Sequence, residues 1–175
     1  MPYVPFADLF PDLAREETRS VLKYDEGVVI QAHLFLELFC NEPGCDCRRV
    51  FIQVISDEAS ATEPVATLSW GWEPDAFYRE WAGFALSKED LDELRGPALV
   101  RLAPQGPDAE ARLADFRMLL EDESYASRIV RHYRMFRDGI ESGRTDDPTG
   151  PPRNRAERRR LAKLRRRPRR RRTTG

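Results

Sequence analysis

Residues 28–56, VVIQAHLFLELFCNEPGCDCRRVFIQVIS, decide the fold, because they predict two strands joined by a short polar turn. Residues 28–39 are rich in β-branched and aromatic side chains, which is typical of a long, well-buried strand. In residues 48–56 apolar side chains fill each position of one face, which indicates a second strand. Pro43 and Gly44 supply the turn between them. The stretch therefore predicts a β-hairpin.

The flanking segments add strands before the hairpin and helices after it. Residues 18–24, TRSVLKY, and residues 65–72, VATLSWGW, predict two more strands, while residues 1–17 predict an irregular arm with one helical turn. Residues 87–96, SKEDLDELRG, have a serine cap and a glycine stop and predict a short helix. Residues 107–143 predict two helices, broken near 121–124. The pattern predicts an α+β fold, an antiparallel β-meander followed by α-helices.

All three cysteines lie at the tip of the predicted hairpin, in the pattern C-x4-C-x-C. Cys45 and Cys47 are two residues apart in extended chain, so their side chains leave the same face, and Cys40 approaches them across the hairpin. Three converging sulfurs fit a tetrahedral zinc site, in which each sulfur lies about 2.3 Å from the metal. Arg48 and Arg49 follow directly and would offset the negative charge of the thiolates. The segment predicts a metal-binding hairpin with Zn²⁺ as its structural cofactor.

Other uses of the thiols stay open at this point. Inert buried cysteines are disfavoured by the polar residues between them. A disulfide from Cys40 to Cys45 or Cys47 would leave one thiol over, and a thiol-redox role lacks the usual C-x-x-C spacing. An iron–sulfur cluster ordinarily requires four cysteines, and the chain has three.

A fourth zinc ligand has to come from elsewhere, and the chain contains two histidines. His33 is seven residues before Cys40 on the same predicted strand, about 23 Å away and on the opposite face, which excludes it. His132 shares the inward face of the second long helix, which would dock on the hairpin tip, and we predict it as the fourth ligand. The alternatives are a core role for His132, with Asp46, Glu42 or a water molecule at the metal.

The hairpin resembles a motif of uncharacterised bacterial proteins, written as aromatic–Cys–x4–Cys-Asp-Cys-Arg-Arg before a strand. Those proteins tend to contain a late Arg-His-Tyr helix, matched here by Arg131, His132 and Tyr133. Some end in the cysteine-rich metal-binding domain found at the C-terminus of the SecA translocase; here no cysteine follows Cys47, and an arginine-rich tail stands in that place. The resemblance covers residues 18–137. It implies metal binding and the pairing of His132 with the cysteines, and it implies no known activity.

Positive charge is concentrated at the C-terminal end. Residues 151–175 contain 13 Arg or Lys and one acidic residue, whereas residues 1–150 contain 16 basic and 29 acidic residues. Such a tail favours disorder, and its arginines favour contacts with a polyanion (RNA, the ribosome or DNA) without sequence specificity. The alternative is that the acidic body holds its own tail. The predicted nucleic-acid-binding residues are Arg158, Arg159, Arg160, Lys163, Arg165, Arg166, Arg167, Arg169, Arg170, Arg171 and Arg172.

The sequence thus predicts an acidic α+β domain at 1–143 with a zinc hairpin at 39–50, a linker at 144–152 and a disordered Arg-rich tail at 153–175. It contains no phosphate-binding glycine loop, no G-x-S-x-G and no H-E-x-x-H. With no signal peptide and no long apolar run, a cytoplasmic protein without a membrane partner is expected. We predict a non-enzymatic zinc-binding interaction protein, with a protein partner as a further option. The alternative is a thiol-redox or zinc-dependent enzyme using Cys45 and Cys47.

Overall fold

A computed structural model describes residues 3–57 and 63–143. Its strands are β1 (Tyr3–Pro5), β2 (Arg19–Asp25), β3 (Val28–Cys40), β4 (Arg49–Ser56), β5 (Ala66–Gly71) and β6 (Ala98–Leu99). Its helices are α1 (Pro11–Glu17), α2 (Asp75–Ala82), α3 (Lys88–Arg95), α4 (Ala109–Leu120) and α5 (Glu123–Glu141), with a 3-10 turn at Phe6–Asp8. The predicted linker at 144–152 and the tail at 153–175, with all its predicted phosphate contacts, lie outside the described residues.

The strands form one antiparallel sheet in the order β1-β3-β4-β5-β6, and β2 pairs with β3 beside this path. The thirteen residues of β3 make it the central strand: β4 lies along one edge, while β2 and β1 share the other edge. This confirms the predicted α+β class, an antiparallel sheet with helices after it. The expected irregular arm is wrong for residues 3–17, which contain β1, the 3-10 turn and α1.

One face of the sheet carries the core, as strand alternation requires. Every second facing pair in the β3–β4 and β4–β5 ladders lies on this face and is buried beneath α4 and α5. The fully buried side chains of this core include Phe35, Phe39, Val50, Ile52, Leu68, Phe116, Tyr125, Ile129 and Phe136. The inward stripe of α5 that the sequence predicts therefore packs on the central strands.

Helices α2 and α3 cover the other face of the sheet only in part, over β5. Tyr78 of α2 is fully buried there, and Gly71 has no room for a side chain because a Cβ would lie 2.1 Å from the tyrosine Oη. The predicted serine cap of α3 is present: Ser87 Oγ accepts from Asp90 N–H, and the Asp90 carboxylate accepts from Ser87 N–H. In the part of the chain that is described, no helix has the length and apolar character needed to cross a bilayer.

Candidate metal centre

The three cysteines meet at the tip of the β3–β4 hairpin. Their sulfur atoms all lie within 4.8 Å of one another, and all three thiols are free. Cys40 ends β3 and Cys47 stands just before β4; both are fully buried, while Cys45 in the turn is partly exposed. Zinc–sulfur bonds of about 2.3 Å at tetrahedral angles place sulfurs about 3.8 Å apart. The three cysteines are therefore close enough to bind a metal ion.

Two left-handed backbone positions shape the turn that carries Cys45 and Cys47. Gly44 has φ +76°, which glycine adopts without strain, and Cys45 N–H donates to the carbonyl of Glu42 at 3.2 Å. Arg48 has φ +44°, which is unfavourable for a residue with a side chain. Its guanidinium is bonded to the carboxylates of Asp46 and Glu73, at 2.9 and 3.0 Å. These contacts hold the strained residue in place.

Helix α5 packs on the hairpin tip through its last two turns. Arg137 Nη1 donates to the carbonyls of Cys40 and Glu42, each at 3.0 Å. Glu141 accepts from Arg137 at 2.6 Å and from the backbone N–H of Gly44 at 2.8 Å. Because these bonds satisfy backbone groups of the turn, the helix fixes the spacing of the cysteines.

Strand β1 closes the centre on another side. Tyr3 lies opposite Cys40 in the β1–β3 ladder, and its ring stacks on Phe51 with centroids 3.9 Å apart. The Tyr3 hydroxyl donates to the sulfur of Cys47, and so does the backbone N–H of Arg49. Sequence analysis missed Tyr3, since a three-residue strand gives no periodic signal. Both donors favour a thiolate at Cys47.

The thiols of Cys45 and Cys47 resist ionisation while no cation is bound. Burial and the neighbouring charge of Cys47 raise the pKa of Cys45 to about 12. Burial, and next the charge of Cys40, raise the pKa of Cys47 as well. Burial and the nearby sulfurs therefore disfavour negative charge on Cys45 and Cys47. A divalent cation reverses this preference, because it supplies the missing positive charge and releases the thiol protons.

His132 does not belong to this group. Its Nδ1 lies 2.7 Å from Glu37 Oε2 and its Nε2 lies 3.0 Å from Glu17 Oε2, so both ring nitrogens face carboxylates. The helix does reach the hairpin tip, but Tyr133 and Arg137 make the contacts there. His132 precedes Tyr133 by one residue, so it points to a different side of the helix and away from the cysteines. Asp46, one of the alternative ligands, accepts hydrogen bonds from the Arg48 guanidinium.

The other residues considered in the sequence analysis, His33, Arg48 and Arg49, also differ in where they lie relative to the cysteines. His33 is buried beside Arg112, with a ring nitrogen 2.8 Å from Nη1, on the core face and away from the sulfurs, as strand alternation predicts. Arg48 is occupied by carboxylates, whereas Arg49 is buried over the ring of Phe51, and its Nε has no hydrogen-bond partner among the described residues. The charge of Arg49 acts instead on Tyr3, which lies opposite Cys40. This chain matches no protein-family model, no curated protein and no solved structure.

Proposed function

We propose that this protein binds one Zn²⁺ through Cys40, Cys45 and Cys47 and that the metal has a structural role. The observation that carries the proposal is the group of three free sulfurs within 4.8 Å at a hairpin tip. The chemistry of the donor set supports zinc, because thiolates are soft ligands and a three-cysteine set is common in structural zinc sites. The ion would join the end of β3 to the start of β4.

The surroundings of the sulfurs support a structural role over a catalytic one. Cys40 and Cys47 are fully buried, and the turn between them is fixed by hydrogen bonds from Arg137. Among residues 3–57 and 63–143, no fourth His, Cys, Asp or Glu joins the group. The donors left for the fourth coordination position are the Tyr3 phenol and solvent beside Cys45. Neither is a positioned general base of the kind that hydrolytic zinc enzymes use.

The alternative is a thiol enzyme, and the partial exposure of Cys45 is the observation in its favour. A nucleophilic cysteine needs a lowered pKa, since the thiolate is the reactive form. At Cys45 burial and Cys47 shift the pKa upward instead, to about 12. This electrostatic setting favours metal binding over nucleophilic catalysis.

The basic tail completes the proposal as an interaction arm for a polyanion. Its support is compositional: 13 basic residues within 25 positions, mostly arginine, attached to an acidic domain. Replacement of Arg165, Arg166, Arg167, Arg169 and Arg170 by glutamine in the full chain should flatten the logarithmic salt dependence of binding by about 4.5 on duplex DNA and by about 3.5 on single-stranded RNA. Unchanged salt dependence would exclude the tail as the contact.

The zinc proposal is tested by metal analysis of the untagged protein. Wild-type protein should contain about one zinc per chain, and the Cys45→Ser, Cys47→Ser variant should lose both the metal and the cooperative melting transition. Asn41→Ser is the matched control, because it changes another residue of the same turn without removing a thiol. It should retain zinc.

Two results would contradict this assignment. Wild-type protein that contains no metal and melts at the same temperature with and without a chelator would exclude a structural ion. Rapid alkylation of Cys45 near neutral pH in such metal-free protein would favour the thiol enzyme.

A further inference from the structure

Exposed apolar side chains are concentrated on the ribbon formed by β2 and β3. Nine large hydrophobic side chains are exposed in the described residues, and six of them lie on this ribbon, whereas Phe84, Leu102 and Met118 are scattered elsewhere. The six are Leu22, Tyr24, Val28, Val29, Ile30 and Leu34. Exposed apolar side chains that are grouped on one ribbon mark an interaction site more often than scattered single residues do.

The strand β2 is also an open edge of the sheet. It pairs with β3 alone, and no strand in the described part of the chain pairs with its other side. The outward N–H and C=O groups of an edge strand can pair with another strand, so such edges either are protected or form interfaces. Leu22, the middle residue of β2, is 42% exposed, and Tyr24, two residues later, is 61% exposed. Burial therefore does not protect this edge.

The sequence of β2, RSVLKYD, is complementary to itself in one antiparallel register. If Leu22 lies on a two-fold axis, Arg19 of each copy is opposite Asp25 of the other, and all seven residues overlap. Shifting the register by two residues places Arg19 opposite Lys23, or Lys23 opposite itself. Opposite charges facing each other across strands are stabilising and like charges are destabilising. The register with full overlap is therefore also the one that electrostatics favours.

We infer that β2 pairs with β2 of a second copy of this chain, which forms an isologous dimer with one continuous sheet. A two-fold axis makes the interface the same on both subunits, so each complementary pair occurs twice. Leu22 shares its sheet face with Leu34, and the axis brings these apolar residues of both copies together. Arg19 lies 3.6 Å from Asp122 in an exposed ion pair, and because such pairs contribute little, the guanidinium can exchange this partner for the facing carboxylate.

Sedimentation equilibrium of the full-length wild-type chain tests this inference. The wild type should be dimeric at micromolar concentrations. Arg19→Asp and Asp25→Arg should each raise the dimer dissociation constant by about tenfold or more, because each places like charges opposite one another twice. The double variant Arg19→Asp, Asp25→Arg should restore dimerisation, since the pairs re-form with their signs exchanged.

The control is Arg15→Asp, the same change of charge on α1 at an exposed position outside the interface, which should leave the dimer intact. Zinc content and a cooperative melting transition in each variant show that the fold is retained. A wild-type chain that stays monomeric up to about 100 µM would overturn the inference. So would a dimer that tolerates both single changes, or a double variant that fails to reassociate.

Discussion

His132 is held between two carboxylates and an aromatic ring. Its nitrogens face Glu37 on β3 and Glu17 on α1, and its ring stacks on Phe6 with centroids 4.2 Å apart. Glu17 is in turn bonded to Arg131. The imidazole therefore ties the central strand to the first helix and to the 3-10 turn. This network explains why a histidine on the inward face of α5 lies outside the group of three sulfurs.

Removing His132 should destabilise the fold without releasing zinc. His132→Leu leaves the Glu37 carboxylate, which is 8% exposed, without its partner, and should lower the free energy of unfolding by about 3 kcal/mol or more. The double variant His132→Leu, Glu37→Leu should recover much of this loss, because the unpaired charge is gone. Urea denaturation measures both, and metal analysis should find the wild-type zinc content. Loss of zinc in the single variant His132→Leu would by itself show that His132 is a ligand.

The sequence predicts the cysteine group and cannot predict the histidine's place. The three cysteines are local to one turn, so strand alternation is enough to bring their side chains together. The inward face of a helix is broader than one residue. Periodicity alone did not distinguish His132 from Tyr133, and it is Tyr133 that accepts from Arg48 N–H at the tip.

The hairpin tip and α5 form one packed unit. Arg137 is buried, although it carries a charge, and its Nη1 satisfies two carbonyls of the turn. Buried polar groups of the backbone need such partners, because an unpaired one is destabilising. The geometry of the metal centre thus depends on a helix that begins more than seventy residues after the last cysteine.

Arg137→Ala should weaken both zinc binding and stability. The two carbonyls lose their charged donor, so the free energy of unfolding should fall by about 2 to 3 kcal/mol. Competition with a chromophoric chelator should show a lower zinc affinity, since the spacing of Cys40 and Cys45 is no longer fixed. Arg134→Ala is the control: it lies one turn earlier on the exposed face of the same helix and should match the wild type. Equal zinc affinity in the two variants would contradict this role.

Segments with a periodic pattern or a capping residue were predictable, and segments without one were not. The β3–β4 hairpin, α3 with its serine cap, and the break between α4 and α5 follow from periodicity and capping residues. Strand β1 has three residues and exists only because the end of β3 offers it an edge. Helix α2 begins directly after Pro74 within an aromatic-rich segment that sequence analysis did not assign to a helix.

Several buried tyrosines make the whole domain less stable at alkaline pH. Burial is the first cause that raises the pKa of Tyr78 to about 12, and burial likewise raises the pKa of Tyr125 and of Tyr133. In the unfolded chain a tyrosine ionises near pH 10. Stability from these groups is therefore fully present below pH 10. It is lost as the pH rises from there through the folded-state pKa, because only the unfolded state releases the proton.

Tyr78→Phe isolates one of these contributions. Chemical denaturation between pH 9 and 11.5 should show wild-type stability falling more steeply above pH 10 than that of the variant. The difference in slope should approach about 1.4 kcal/mol per pH unit, the value for one proton. The variant should be weaker at neutral pH by about 1 to 2 kcal/mol, since the Tyr78 hydroxyl donates to the Arg48 carbonyl at 2.8 Å. Identical slopes would show that Tyr78 titrates normally.

The fold class could be inferred from the sequence because alternation and helical periodicity are local signals. How distant segments meet could not: Tyr3 beside Cys40, Glu37 beside His132 and Glu141 beside Gly44 are contacts of tertiary packing alone. The same applies to the open edge of β2, since strand order across a sheet is not written in any single segment.

The contact between Gly44 and Glu141 has a consequence for biosynthesis. These residues are 97 positions apart, and a chain grows at about 5–20 residues per second, so the cysteine turn precedes its covering helix by roughly 5 to 20 s. During that interval the thiols of a nascent chain are open to any metal ion or oxidant in their surroundings. Once the helix has packed, Cys40 and Cys47 are fully buried and Cys45 stays partly exposed. If the cysteines bind zinc as proposed, the metal supply around the ribosome during this interval would influence which ion reaches them first.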